Sequence, residues 1–251
     1  MNARRSAAVR ARLRRGAFVL PSLFTIGNIL FGFYTIVMSV RGHFEAAAAA
    51  VLIAGVLDTL DGRIARMTGT ESDFGREFDS LADVITFGVA PGFAAWAWGL
   101  HDLRRAGWLV PVFYVVCTAT RLARFNVQAA RVDSRWFAGL PCPAAAGTLA
   151  AFLLVGPAPD WRPWLIGAMS LGLVGLGILM VSTFRYRSLK GLDLRRPRSY
   201  RSALPIAAAL LVLALWPTLF LPLAAAAYAL SGPLYWLYQR SIGRPAAGVP
   251  A

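Results

Sequence analysis

The sequence is poor in the side chains that form disulfides and bind most transition metals. Its 251 residues include two cysteines, Cys117 and Cys142, and two histidines, His43 and His101. Two cysteines are too few for a disulfide framework or a cysteine-based metal site, and two histidines disfavour a site built on imidazole. Any metal that this protein binds is therefore expected to have oxygen ligands.

Charged residues are also scarce. They make up 15% of the chain, whereas a soluble domain usually carries about 25%. Hydrophobic residues make up 57%, and the mean hydropathy is +0.56. The apolar residues form blocks close to the ~20 residues that a helix needs to cross the ~30 Å hydrocarbon core of a bilayer. This composition indicates an all-α integral membrane protein and leaves a soluble helical protein as the weaker alternative.

Eight membrane spans are predicted from the apolar blocks, of which the fifth and seventh are short. They cover roughly residues 17–40, 44–64, 81–100, 106–126, 143–157, 162–184, 203–217 and 219–238. The whole region 17–240 is expected to form a single transmembrane domain. Residues 1–16 form a basic segment, either amphipathic on anionic lipid or a disordered tail, and residues 241–251 are expected to be a disordered tail.

Positive charge predicts the orientation of these spans. With the N-terminus in the cytoplasm and eight alternating spans, 22 of the 26 Lys and Arg residues lie on the cytoplasmic side. Cytoplasmic loops carry such an excess in membrane proteins, so both termini are expected to be cytoplasmic. The net charge of +14 is thus explained by topology. Nucleic-acid binding is not predicted, because it needs a basic face on a soluble surface.

The few acidic residues are concentrated in one stretch. Seven of the twelve Asp and Glu residues fall in DTLDGRIARMTGTESDFGREFDSLAD, residues 58–83, on the predicted cytoplasmic side. Asp58 and Asp61 end the second predicted span, and Asp79 and Asp83 begin the third. Spacings of three and four residues place each pair on one helix face. The residues between the pairs include three glycines and are expected to form a turn that brings the two helices side by side.

Four converging carboxylates need a positive partner. Burying one Asp at bilayer depth costs about 2.5–3.5 kcal/mol, and neighbouring carboxylates repel one another. Mg²⁺ and Mn²⁺ prefer oxygen ligands, and paired metals stabilise the attacking and leaving oxygens in displacements at phosphorus. The pattern therefore predicts a site for divalent metal, with two ions. The alternative is a set of solvated charges at helix ends, favoured by the dipole of the third helix.

The same stretch resembles the signature of the CDP-alcohol phosphatidyltransferase family, with no departure at eight fixed positions. These positions are Asp58, Asp61, Gly62, Ala65, Arg66, Gly75, Asp79 and Asp83. Members of the family are integral membrane enzymes of phospholipid synthesis. They move a phosphatidyl group from a CDP-linked lipid to an alcohol and release CMP.

Further stretches resemble one branch of the family, the bacterial and archaeal phosphatidylserine synthases. They are PSLFTIGNILFGF (21–33), SLADVITFGVAPG (80–92), TRLARFNV (120–127), FAGLPCPAAAG (137–147) and STFRYRSLKG (182–191). Ser22, Thr86 and Cys142 depart slightly from the usual wording, outside the metal set. This resemblance covers most of residues 20–191. It implies transfer from CDP-diacylglycerol to L-serine by a homodimer in a bacterial or archaeal cytoplasmic membrane.

The resemblance also implies residue roles. Asp58, Asp61 and Asp79 would ligate the metals, and Asp83 would ligate one metal and act as the general base toward the serine hydroxyl. The residues expected to bind the CDP-lipid are Asn28, Gly62, Arg66, Ser72 and Gly75. The candidates for contacts to the acceptor or to phosphate are Arg121, Arg124 and Asn126. The alternative is that these arginines only set the orientation of the spans, with the charged end of each side chain reaching the membrane interface.

Two other functions stay open on the sequence. One is transfer to another alcohol, such as glycerol 3-phosphate, inositol phosphate or choline, by an enzyme of the same family. The other is a cation transporter that binds its ion with carboxylates. A transporter is expected to carry acids deep in several spans, whereas these four lie at one end of two neighbouring helices.

Overall fold

Helices account for nearly all of the chain that this computed structural model describes. It describes residues 23–68, 72–128, 136–155, 163–187, 211–212 and 215–241. Residues 1–16, residues 242–251 and most of the predicted seventh span lie outside these ranges, so the predictions made for them stay predictions. The division into one domain with two tails likewise stays a prediction.

Eight helices are numbered here in chain order within the described residues. They are α1 (Leu23–Val40), α2 (Phe44–Thr68), α3 (Asp73–Asp83), α4 (Ala90–Trp98), α5 (Arg105–Gln128), α6 (Cys142–Val155), α7 (Pro163–Val181) and α8 (Pro217–Ser241). A π-helical segment, Val84–Val89, joins α3 to α4 without a break, and a 3-10 turn, Leu100–Leu103, precedes α5. Two short strands complete the described part: β1 (Trp136–Ala138) and β2 (Arg185–Arg187).

Five of the helical segments are long and apolar enough to cross a membrane. They are Leu23–Val40, Asp73–Trp98, Arg105–Val127, Trp164–Val181 and Leu219–Ser241. The stretch Cys142–Leu154 is a shorter apolar helix. The prediction of an all-α, multi-pass membrane protein is confirmed. The count of eight spans, the cytoplasmic termini and the membrane face of the acidic stretch stay predictions.

The predicted turn between the second and third spans is wrong in length. Helix α2 continues to Thr68 and α3 already begins at Asp73, so most of the expected turn is helical. The prediction placed the helix ends where the apolar residues end. Arg, Ala and Met are good helix formers, however, and the segment GRIARMT continues the helix past its apolar part. Ser72 then starts α3 as its N-cap.

Small side chains bring the helices close together around the site. Helix α2 packs against α6, and α6 packs against α8. Ala47, Ala54, Ala145 and Ala150 are fully buried. In membranes such small residues let helix backbones approach closely, since lipid tails leave little hydrophobic driving force between helices. The packing therefore fixes α2, which carries two of the four aspartates, against the rest of the bundle.

A two-stranded antiparallel sheet joins two connections that are far apart in the sequence. Strands β1 and β2 are antiparallel, with Phe137 opposite Tyr186. The buried Tyr186 hydroxyl donates to the Ala229 carbonyl of α8 at 2.8 Å. Burial, together with the neighbouring Tyr228, raises the pKa of Tyr186 to about 12, so its hydroxyl stays a neutral donor. The strands thereby anchor α8 to the end of the bundle where α7 ends.

Candidate active site

Three of the four predicted carboxylates converge. Asp58 comes from α2, and Asp79 and Asp83 come from α3. One carboxylate oxygen from each lies within 4.8 Å of the other two. Asp58 and Asp79 are half-buried, and Asp83 is buried, with 8% of its surface exposed. Helix spacing explains why Asp79 and Asp83 lie together, because residues four apart on α3 lie on one face.

The charges around Asp83 are mixed. Its carboxylate lies in the field of two like charges, Asp58 and Asp79, and of one opposite charge, Arg121. One guanidinium does not balance three carboxylates at close range, and a cation bound between them would. The donor set is all oxygen, as hard divalent cations prefer. The residues present therefore fit a divalent metal.

Asp61 lies outside this group of three but shows a second feature that fits a cation. It is buried, and its Oδ2 accepts a hydrogen bond of 2.9 Å from the Thr25 hydroxyl of α1. Its Oδ1 is buried and has no hydrogen-bond partner among the described residues. A buried carboxylate oxygen without a partner is costly, and metal ligation removes that cost.

Asn28, a predicted CDP-lipid ligand, contacts the acidic site itself. Its side chain is 1% exposed, and its Nδ2 donates to Asp83 Oδ1 at 3.3 Å. Its backbone carbonyl accepts a hydrogen bond of 3.0 Å from the Thr86 hydroxyl in the π-helical segment. Helix α1 is thus joined to the residues that directly follow Asp83.

The other residues predicted to bind the CDP-lipid lie in the second half of α2 and at the start of α3. Gly62 is half-buried on α2, next to Asp61. Ser72 caps α3, and its Oγ accepts a hydrogen bond of 3.0 Å from the Gly75 backbone N–H. A Cβ at Gly75 would lie 3.0 Å from that Oγ, so the cap favours glycine there. Arg66 lies on α2, but its side chain is outside the described part of the structure.

The three predicted acceptor contacts have different surroundings. Arg121 is buried, its Nη1 donates to Cys142 Sγ at 3.3 Å, and its Nε has no hydrogen-bond partner among the described residues. Arg124 instead donates to backbone carbonyls at the ends of α7 and β1. These are Ala138, Val181 and Ser182, at 3.1, 2.8 and 3.1 Å.

Asn126 faces α3. Its Nδ2 donates to Ser80 Oγ at 3.0 Å and to Glu77 Oε2 at 3.5 Å. Of the three candidates, Arg121 is therefore the one whose guanidinium is buried and lies in the field of the Asp83 carboxylate. Its Nε–H has no hydrogen-bond partner among the described residues.

Sequence reasoning missed Thr25. Its position, one turn before Asn28 in a predicted membrane span, was a usable signal, because polar side chains inside a membrane segment tend to be functional. It also missed the interaction of Arg121 with Cys142, since nothing in the sequence indicates which residue faces a given arginine.

Comparison with known proteins adds to this geometry. The sequence model of the family described as CDP-alcohol phosphatidyltransferase matches residues 18–184. The chain is 40% identical over 174 residues to a CDP-diacylglycerol–serine O-phosphatidyltransferase of Helicobacter pylori, covering 69% of this chain and 73% of that protein.

Two further relatives extend the range of organisms. The chain is 35% identical over 175 residues to an archaetidylserine synthase of Methanothermobacter thermautotrophicus, covering 69% and 71% of the two chains. It is 33% identical over 171 residues to a CDP-diacylglycerol–serine O-phosphatidyltransferase of Bacillus subtilis, covering 68% of this chain and 91% of that protein.

Proposed function

Because the chain belongs to the CDP-alcohol phosphatidyltransferase family, we propose that it transfers the phosphatidyl group of CDP-diacylglycerol to L-serine, giving phosphatidylserine and CMP. The observation that carries the chemistry is the convergence of Asp58, Asp79 and Asp83 within 4.8 Å. The choice of serine is supported by relatives that are named for serine transfer. The expected setting is the cytoplasmic membrane of a bacterium or archaeon, and the expected assembly is a homodimer.

Four aspartates are proposed to hold the cofactor, which we take to be two ions of Mg²⁺ or Mn²⁺. Asp58, Asp79 and Asp83 offer clustered oxygens, and Asp61 offers the buried Oδ1 that lacks a hydrogen-bond partner among the described residues. When bound, such ions supply positive charge to the attacking and leaving oxygens of a displacement at phosphorus.

Asp83 is proposed as the general base. A serine hydroxyl is a weak nucleophile at neutral pH, so its proton must leave as the new P–O bond forms. The hydroxyl oxygen attacks the phosphorus that carries diacylglycerol, the bond from that phosphorus to the CMP oxygen breaks, and the hydroxyl proton passes to Asp83. The Asn28 amide donates to Asp83 Oδ1 and so restrains the carboxylate that accepts this proton.

The remaining roles follow the positions of the side chains. Arg121 is proposed to bind the serine carboxylate, because a charge-assisted hydrogen bond needs a free guanidinium N–H in a buried place, and its Nε is buried without a hydrogen-bond partner among the described residues. Gly62, Gly75 and Arg66 are proposed to bind the nucleotide. Ser72 can also donate to a phosphate, since its Oγ acts only as an acceptor in the cap.

The first experiment measures CMP release by the purified protein in detergent. CDP-diacylglycerol and Mn²⁺ or Mg²⁺ are supplied, and serine, glycerol 3-phosphate, inositol phosphate and choline are tested one at a time. We expect release that requires serine and metal and that Asp83→Asn lowers by about 10²–10⁴-fold, the usual contribution of a general base.

A nearby carboxylate outside the cluster supplies the control. Asp73 is exposed and pairs with Arg76, so Asp73→Asn should retain activity. Release with a different acceptor alone would overturn the serine assignment and keep the family chemistry. Release unaffected by Asp83→Asn would overturn the assignment of the base.

A further inference from the structure

Helix α1 contacts one aspartate of α2 and one aspartate of α3. Thr25 donates to Asp61 on α2, and Asn28, one turn later on the same face, donates to Asp83 on α3. Both side chains are almost fully buried, at 4% and 1% exposed. A helix that hydrogen-bonds two carboxylates through two buried side chains in adjacent turns holds the orientations of these carboxylates relative to each other.

The Thr25 hydrogen bond divides the two oxygens of Asp61 between different partners. Oδ2 is occupied by the Thr25 hydroxyl at 2.9 Å. Oδ1 is buried and has no hydrogen-bond partner among the described residues. Since a carboxylate bound at one oxygen is fixed in rotamer, the other oxygen is held in one place.

Two other buried hydroxyls on α1 donate to backbone carbonyls. Thr35 donates to the backbone carbonyl of Phe31, and Ser39 donates to that of Thr35. Bonding to a carbonyl four residues earlier is the usual way in which a helical hydroxyl is satisfied. Thr25 donates across helices, to the Asp61 carboxylate 36 residues away in sequence. Satisfaction of a buried hydroxyl alone does not require that partner.

We propose that Thr25 is a positioning residue for metal binding, which orients Asp61 so that Oδ1 stays available to the cation. The inference rests on the proposed function, since it presumes the divalent metal. Hydrogen-bond partners that orient a metal ligand typically change metal affinity or activity by about 10- to 100-fold when removed. Thr25 touches neither substrate nor reacting atoms in this role, and it acts through Asp61.

The test is a titration of Mn²⁺ without substrate. The melting temperature of the purified protein is followed as Mn²⁺ is added, because a ligand that binds only the folded state raises it. The midpoint of that rise is compared for the wild type, Thr25→Val and Thr25→Ser. We expect a midpoint about 10- to 100-fold higher for Thr25→Val, and recovery to within a few-fold of wild type for Thr25→Ser, which restores the hydroxyl.

Thr35→Val is the matched control, because it removes a buried hydroxyl from the same helix that bonds only backbone carbonyls. Its midpoint should stay at the wild-type value even if its melting temperature falls. In an Asp61→Asn background, Thr25→Val should shift the midpoint less than twofold. If Thr25→Val does not yield folded protein, Thr25→Ala takes its place.

The outcomes separate the two proposals. An unchanged midpoint in Thr25→Val, or an equal shift in Thr35→Val, would overturn the positioning role and leave the metal site in place. A wild-type protein whose melting temperature does not respond to Mn²⁺ would overturn the metal proposal and this inference with it.

Discussion

At the scale of single residues, Arg121 and Arg124 show how differently two neighbouring arginines are used. They lie one turn apart on α5. Arg124 donates to three backbone carbonyls at the ends of α7 and β1, so its guanidinium joins two elements. Arg121 is buried beside Cys142, in the field of Asp83. These contacts support a structural role for Arg124 and the proposed binding of the serine carboxylate by Arg121.

Replacing Arg121 by Lys should therefore raise the KM for serine. Lys keeps the charge but lacks the planar fork of donors that binds a carboxylate bidentately. We expect the KM for serine to rise about tenfold or more, the loss of roughly one charge-assisted hydrogen bond, with the KM for CDP-diacylglycerol nearly unchanged. Steady-state CMP release at varied concentrations of each substrate measures both values.

Arg124→Lys is the control for this prediction. It should lower the melting temperature, since one ammonium group does not reach three carbonyls, and should leave the KM for serine at the wild-type value. A rise in the KM for serine in Arg124→Lys but not in Arg121→Lys would reverse the two assignments.

At the scale of elements, the backbone of α1 lies close to the π-helical segment that follows α3. A Cβ at Gly32 would lie 2.8 Å from Thr86 Oγ1 and 3.0 Å from Thr86 Cα. The Thr86 hydroxyl donates to the Asn28 carbonyl in the same contact. The absence of a side chain at Gly32 thus lets Thr25 and Asn28 reach their aspartates.

Gly32→Ala should push α1 away from the π-helical segment. Overpacking of this kind typically costs about 1–3 kcal/mol, and here it also lengthens the hydrogen bonds to Asp61 and Asp83. We expect a lower melting temperature and CMP release reduced at least tenfold, measured on purified protein.

Gly27→Ala on the same helix is the comparison. Its new Cβ would lie 3.8 Å from Leu57 Cδ1, an ordinary contact. It should keep wild-type release. Equal losses in the two variants would mean that helix propensity or lipid contact is responsible, and not the approach to Thr86.

The sequence predicted the elements better than their ends and connections. The apolar blocks predicted α1, α2 and α4 to α8, because span length follows bilayer thickness, whereas most of α3 lies in the expected turn. They did not predict that α2 would run to Thr68, since a helix can continue where its apolar face has ended. The spacing of Asp58, Asp79 and Asp83 predicted their convergence. The pairing of β1 with β2 was not predicted, because strands of three residues carry almost no pattern.

At the scale of the whole molecule, the charge distribution and the site are linked. The predicted topology puts 22 of the 26 basic residues on the side of the membrane that also carries the acidic stretch. Anionic phosphates of lipid and nucleotide are attracted to such a surface. An orientation set by the positive residues would therefore bring water-soluble CMP and serine to the same face.

Cysteine labelling in intact cells tests this orientation. Asp102 and Ser241 are both exposed and lie on opposite predicted sides. Asp102→Cys should react with a membrane-impermeant maleimide added outside the cells, and Ser241→Cys should react only after the membrane is opened. The native Cys117 and Cys142 are buried and should give little background. Outside labelling of Ser241→Cys would contradict an even number of spans with both termini inside.

The π-helical segment Val84–Val89 changes the directions in which side chains before and after it point from the continuous helix Asp73–Trp98. A wider turn behaves like an α-helix with one extra residue, and one residue corresponds to about 100° of rotation around an α-helical axis. The carboxylates before the segment and the buried Trp98 after it are thus set at angles that one uninterrupted α-helix of this sequence would not give. The extra residue of the wider turn thus lets Asp79 and Asp83 face the other carboxylates at one end of the helix while Trp98 packs in the core at the other.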